Sequence, residues 1–159
     1  MKIGFIGLGN VGGKLAGSLI RNGHDVTVRD LDKKIAQPFL DQGAAWADSP
    51  TDMASSCDAV ITCLPSPAAS AAVMEAEDGL LKGLSEGKIW MEMSTTDEAE
   101  VKRLGALVEK LGAAAVDCPV SGGCHRADTG NISIFAGCER ETFEPVSYTH
   151  LTLPTIYSV

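Results

Sequence analysis

The feature that most constrains the fold lies at the start of the chain, where a strand-like apolar run, "KIGFI", leads straight into "GLGNVGGKL". Gly7, Gly9 and Gly12 form G-x-G-x-x-G between that strand and a helix expected over 11–22. In this setting Gly7 permits a tight turn, Gly9 leaves no side chain in the way of a diphosphate, and Gly12 lets helix and strand pack closely. The turn, with Leu8, Asn10 and Val11, feeds a helix N-terminus whose free N–H groups and positive dipole end suit phosphate oxygens. Glycine-rich turns are common on their own, so the residues that follow decide the matter.

Asp30 is the second constraint. It closes the strand "DVTVRD" about twenty residues further on, where a carboxylate can accept from the ribose hydroxyls of an adenosine. A carboxylate there repels a 2′-phosphate, which favours NAD over NADP. Arg29, Lys33 and Lys34 stand close enough in sequence to soften that preference. The local alternative is an aspartate that caps the next helix or closes a turn.

Strand and helix signals then alternate. A helix is expected over 32–42, with Ile35, Ala36, Phe39 and Leu40 apolar at helical spacing, followed by a short strand near 44–46. Ser49-Pro50 opens a short helix, serine as cap and proline as first residue. "DAVITCL" reads as a buried strand, 67–77 as an Ala-rich helix and "KIWMEM" as a strand. An amphipathic helix over 96–111 stops at Gly112, and "AAAVDCP" and "NISIFAG" read as two further strands. This alternation predicts an α/β fold with a Rossmann-type, doubly wound, mainly parallel sheet.

At 159 residues the chain is long enough for one domain with a real core. Its net charge of −8 counts against nucleic acid and against an anionic membrane surface as partners. No stretch approaches the roughly 18 apolar residues of a membrane span, and the early glycines break the apolar start too soon for a secretory leader. The five cysteines, Cys57, Cys63, Cys118, Cys124 and Cys138, are odd in number and lack C-x-x-C spacing. Free thiols in a cytoplasmic protein are therefore expected. His24, His125 and His150 do not cluster with them, so no metal site is expected.

Two more motifs follow predicted strands. "CLPSP" lies at the carboxyl edge of the sheet, where ligands bind in open α/β folds, though it would also serve as a plain strand-to-helix turn. In "DCPVSGG", Ser121, Gly122 and Gly123 can bend so that consecutive N–H groups converge on an anion such as a carboxylate. The same residues would equally make a Gly-Gly turn between two strands.

Taken in order, "GFIGLGNVG", "CLP", "MSTTD" and "DCPVSGG…GN" resemble the 3-hydroxyacid dehydrogenase family over residues 1–146. The resemblance implies a two-domain, homo-oligomeric enzyme of nearly twice this length. Its first domain would bind a nicotinamide cofactor, and an all-helical second domain would help to form the active site. Leu64, Pro65 and Thr95 would line the cofactor beside the glycine turn, and Ser121, Gly122 and Gly123 would hold the carboxylate of a small substrate. The reaction implied is reversible hydride transfer between the nicotinamide and the carbon bearing a 3-hydroxyl, with a lysine as general acid/base. That lysine sits on a helix this chain does not reach, so no catalytic residue is assigned. Lys102 and Lys110 read as solvated surface charges.

Several positions depart from the family pattern. Glu92-Met93 stand where the family carries Asp before Ser-Thr, Glu98 replaces a frequent proline, and Ala69 a frequent asparagine. His125 and Arg126 replace small residues; they would favour a polar or doubly charged acid if they face the substrate, and would mean nothing if they face solvent. Two other readings remain: a stand-alone dinucleotide-binding module without catalysis, and an NADP-linked enzyme like 6-phosphogluconate dehydrogenase. The latter family usually places Asn-Arg at the end of the second strand, and Asp30-Leu31 speaks against it.

The end of the chain breaks the pattern. Segment 147–159, "SYTHLTLPTIYSV", holds both tyrosines and no acid, Lys or Arg, and starts inside a helix that opens at Arg140-Glu141. It is expected to be a non-native or disordered tail. The sheet is accordingly expected to be incomplete at its C-terminal end, and the fragment inactive without the helical domain.

Overall fold

A computed structural model of the chain describes residues 1–138, 140, 142 and 144, together with the backbone of 155–157. Its elements are β1 (Lys2–Ile6), α1 (Gly12–Arg21), β2 (Asp25–Arg29), α2 (Lys33–Leu40), β3 (Ala45–Trp46), α3 (Pro50–Ser56), β4 (Ala59–Thr62) and α4 (Pro67–Glu75). A 3₁₀ turn at Leu80–Lys82 leads to β5 (Ile89–Glu92), α5 (Glu98–Glu109), β6 (Ala114–Asp117), β7 (Val120–Ser121), α6 (Gly123–Asp128), β8 (Ser133–Ala136) and β9 (Thr155–Tyr157).

The main sheet is six-stranded in the order β3-β2-β1-β4-β5-β6, and every pairing in it is parallel. This is the doubly wound arrangement, with the order reversing beside β1. Residues alternate between its two faces, as the period of a strand requires. Ile3, Phe5, Val26, Val28, Ile61 and Met91 pack on one side against Leu15 and Ala16 of α1 and Ala36 of α2. On the other side Val60 and Trp90 meet Met53 of α3, Met74 of α4 and Leu104 and Val108 of α5. Each large side chain fully buried in this way, such as Phe5, contributes about 1.5–3 kcal/mol over its exposed state.

Local chemistry sets the helix starts. Asp32, Ser49, Ser66 and Asp97 cap α2 to α5, each side chain accepting from an N–H of the first turn. Proline follows the serine cap in α3 and in α4, where its missing N–H and fixed φ are harmless. Gly112, at φ 76°, accommodates the turn after α5.

The sequence expectation differs from the structure in three places. Ile35 does not join the apolar face of α2; it is 44% exposed, and Ala36 alone in that helix is buried. The helix expected over 96–111 starts at Glu98, because the Asp97 carboxylate takes the N–H of Glu100 and sets the cap there. Between "DCPVSGG" and "NISIFAG" the chain forms α6 rather than a simple turn.

The six strands stand in the order of two mononucleotide-binding halves. The chain after β6 builds a second sheet, β7-β8-β9. β7 pairs antiparallel with β8, and a single bridge, Asp117 to Gly137, ties β6 to the residue after β8. Within the segment expected to be a tail, Thr155–Tyr157 run parallel to β8; its other residues lie outside those described. Of the helix expected to open at 140, Arg140, Thr142 and Glu144 are helical.

Candidate functional site

The C-terminal ends of β2, β1, β4 and β5 are neighbours along one edge of the sheet. They bring together Asp30, the glycine turn, the Leu64-Pro65 turn and the Ser94-Thr95 turn. Gly7 has φ 98°, and a Cβ on it would be driven into the carbonyl of Cys63. A Cβ on Gly12 would overlap the carbonyl oxygen of Gly7 and come within 3.3 Å of the Cys63 Cβ. Gly12 therefore lets helix α1 close onto the turn itself as well as onto β4. A Cβ on Gly9 would meet nothing within 4 Å, so the space beside it is open.

Helix α1 starts without a side-chain cap and has no acid in its first turn. Gly13 N–H donates to the Gly9 carbonyl and Gly7 N–H to the Arg29 carbonyl. Among the described residues, the N–H groups of Asn10, Val11 and Gly12 have no acceptor within the chain. A helix end left in this state suits an anion, through its orphan donors and its positive dipole end.

Asp30 lies on the flank of that turn. Its Oδ2 accepts from Leu8 N–H at 2.7 Å and its Oδ1 from Asp32 N–H at 3.4 Å. The cap of α2 is Asp32, which accepts from Lys34 N–H at 2.9 Å, so Asp30 is not the helix cap. A carboxylate has about four lone-pair positions, so the Leu8 bond leaves Asp30 able to accept from a ligand. Arg29 points elsewhere: its guanidinium donates to the carbonyls of Ala47 (3.0 Å) and Asp48 and lies 5.8 Å from the Trp46 ring centroid. Lys33 sits 4.9 Å from the same centroid. Leu31 is fully exposed beside Asp30.

On the other flank, Leu64 is half-buried, while Pro65 and Thr95 are exposed. Sequence reasoning passed over what lies beneath them. Leu64 N–H donates to Ser94 Oγ at 2.7 Å, and Ser94 in turn binds the buried carboxyl of Glu92 through both its N–H (2.9 Å) and its hydroxyl. Ser70 Oγ of α4 donates to the other Glu92 oxygen at 2.9 Å. Burial pushes the Glu92 carboxyl above its usual range, and the serine donors pull the other way. Cys63 is pushed up to about 11, by burial first and by Glu92 second. The available signal was a lone acid in the otherwise apolar strand "KIWMEM".

Ser121, Gly122 and Gly123 are exposed at the junction of β7 and α6, and both glycines have positive φ. Helix α6 leans on α1, where Asp128 joins Arg21 at 3.0 Å and Lys14 at 3.7 Å. His125 and Arg126 are exposed on α6. Lys102 is exposed and paired with Glu98 at 2.5 Å, and Lys110 is exposed. Cys57, Cys63, Cys118 and Cys124 are free thiols, and no group of three metal-ligating side chains occurs among the described residues. No helix among those residues is long and apolar enough to cross a membrane.

A doubly wound parallel sheet with a G-x-G-x-x-G turn, an uncapped helix and an acid after the second strand defines a dinucleotide-binding domain. The comparison with known families narrows this: residues 2–149 match the NAD binding domain of 6-phosphogluconate dehydrogenase, and the chain belongs to that family. It is 38% identical over 135 residues to the mitochondrial 3-hydroxyisobutyrate dehydrogenase of Rattus norvegicus, covering 85% of this chain and 40% of the relative. The mitochondrial enzyme of that name from Homo sapiens is 36% identical over 141 residues, covering 89% and 42%. The chain thus spans about two fifths of the length of these relatives. Among solved structures, Psf3 in complex with NADP+ and 2-OPP superposes with a TM-score of 0.93 at 27% identity, covering 98% of this chain and 56% of that one. The 3-hydroxyisobutyrate dehydrogenase of Salmonella typhimurium gives 0.89 at 25% identity, covering 100% and 57%. The resemblance in the motifs and these likenesses agree on an NAD(P)-binding domain of the 3-hydroxyisobutyrate dehydrogenase kind.

Proposed function

We propose that the chain is the cofactor-binding part of an oxidoreductase that moves a hydride between NAD and a small 3-hydroxy acid. The observation that carries this is the contrast among helix starts: α2 to α5 are each closed by a side chain, whereas α1 presents bare N–H groups beside the open space at Gly9. A diphosphate fits that need. Gly7, Leu8, Gly9, Asn10, Val11 and Gly12 form its cradle, and Asp30 accepts from the ribose. The strand order then carries the second half of the dinucleotide over Leu64, Pro65 and Thr95. When bound, the nicotinamide supplies the hydride donor or acceptor.

Asp30 and Arg29 together favour NAD over NADP. The carboxylate repels a 2′-phosphate, and the cation best placed to offset it is tied to the Ala47 and Asp48 carbonyls. Ser121, Gly122 and Gly123 supply donors for the substrate carboxylate, in keeping with the likeness to the rat and human 3-hydroxyisobutyrate dehydrogenases. By this reading the chain alone binds cofactor without turnover, since Lys102 is engaged by Glu98 and Lys110 faces solvent.

A fluorescence titration with NADH and NADPH tests the proposal. NADH is expected to bind about tenfold or more tightly than NADPH, in line with one charge-assisted hydrogen bond gained and one like-charge contact avoided. Asp30→Ala should weaken NADH and erase the preference. Equal affinities in the unaltered chain would remove Asp30 from its role.

A further inference from the structure

We infer that Glu92, buried outside the cleft, is a positioning residue that holds the two turns facing the nicotinamide half of the cofactor. The inference rests on the binding mode proposed above and adds a residue that touches no ligand.

Glu92 is the last residue of β5 and is fully buried on the face that carries Trp90. Its two oxygens bind two segments directly and a third through Ser94. One takes the N–H and the hydroxyl of Ser94, the residue before Thr95. The other takes the hydroxyl of Ser70, one turn into α4. Through Ser94 the chain of bonds continues to Leu64, whose N–H donates to the serine oxygen at 2.7 Å. The Leu64-Pro65 turn, the start of α4 and the Ser94-Thr95 turn are therefore tied to one carboxyl group.

Nothing in packing calls for an acid at this place. A buried carboxyl carries a desolvation cost that an apolar side chain of similar size would avoid. Among the described residues no Lys or Arg forms an ion pair with it, and the titratable neighbours that feel its charge are the thiols Cys63 and Cys118. What the acid provides is acceptors for three hydroxyl or amide donors on segments that otherwise end at different strands. Those segments lie at β4 and β5, on the far side of the glycine turn from Asp30. Loosening them should be felt by the nicotinamide half of the ligand and not by the adenosine diphosphate half.

Titration of the 159-residue chain with NADH and, separately, with ADP tests this, using the unaltered chain, Glu92→Ala, Glu92→Gln and Ser94→Ala. Glu92→Ala and Ser94→Ala should each weaken NADH about tenfold, the scale of one or two lost hydrogen bonds, while ADP stays within about twofold. Glu92→Gln, which keeps an acceptor for Ser94, should recover NADH binding to within about threefold of the unaltered chain. Loss of NADH and ADP affinity in parallel, NADH binding untouched by Ser94→Ala, or no rescue by glutamine would each overturn the assignment. If Glu92→Ala does not fold, as judged by its melt, Ser94→Ala and Glu92→Gln carry the same expectations. Failure of the unaltered chain to bind either ligand would instead bring down the binding mode itself, and this inference with it.

Discussion

Gly9 and Gly12 share one turn but answer to opposite demands. Gly12 is fixed from inside, because any side chain would overlap the Gly7 carbonyl and crowd Cys63. Gly9 is free from inside, because a methyl group there would meet nothing in the protein. Stability and ligand affinity should therefore separate between the two alanine variants. Gly12→Ala is expected to cost about 1–3 kcal/mol, as small-to-large changes in packed sites do, and to weaken NADH as well. Gly9→Ala should stay within about 0.5 kcal/mol in denaturant melts yet bind NADH at least about tenfold more weakly, since its methyl group occupies the ligand's space. A Gly9→Ala chain with unchanged affinity would move the diphosphate away from this turn. Asp30 shows the same economy at one residue: the bonds from Leu8 and Asp32 hold the turn in place and leave lone pairs over for a further donor.

Among α1 to α5, α1 is set apart by the lack of a side-chain cap, a lack it shares with the short α6. Asp32, Ser49, Ser66 and Asp97 each take a first-turn N–H of their own helix. At α1 the donors of Asn10, Val11 and Gly12 are left for an anion, and a like charge placed there should compete. Asn10→Asp adds that charge without changing shape. It should weaken NADH about five- to tenfold at low salt, near the 1 kcal/mol of two charges about 4 Å apart in water, and less as salt is raised. An effect that does not respond to salt would point to a steric cause. The elements themselves were legible because each has a local signature: apolar runs for the buried parallel strands, Ser-Pro for the starts of α3 and α4, and glycines at Gly7, Gly9 and Gly12 for the turn. Helix α6 was not legible, since "GGCHRADTG" is short, polar and glycine-rich, and its helical state comes from Ala127 packing into the core and Asp128 meeting Arg21 and Lys14 of α1. The Glu92 network was hidden for a similar reason. Ser70, Ser94 and Leu64 are distant in sequence and meet only once β4 and β5 lie side by side.

For the molecule as a whole, carboxyl groups act on stability in two directions. Glu75, Glu98 and Glu100 lie on the surface beside Arg103 or Lys102, whose hydrogen bonds hold them below the usual carboxylate value of 4.5. Their contribution is present above that value and lost as pH falls, and solvent screening keeps it small. Glu92 works the other way. Burial holds its proton above the value of 4.5 at which an unfolded chain releases it. The native state then binds more protons than the unfolded state, so folding loses free energy as pH rises through the raised value. Glutamine has no proton to lose. The difference in melting temperature between Glu92→Gln and the unaltered chain should be constant below the ordinary carboxylate range. It should then shift in favour of glutamine as pH rises above that range. The surface pairs cancel in that difference, and the thiols that feel Glu92, Cys63 and Cys118, are held above their usual range. Added salt should leave the trend in place, because a buried group is screened little by ions outside. A difference that stays flat above that range would mean that Glu92 is ionised inside the fold, with its charge carried by its Ser94, Ser70 and Thr62 partners.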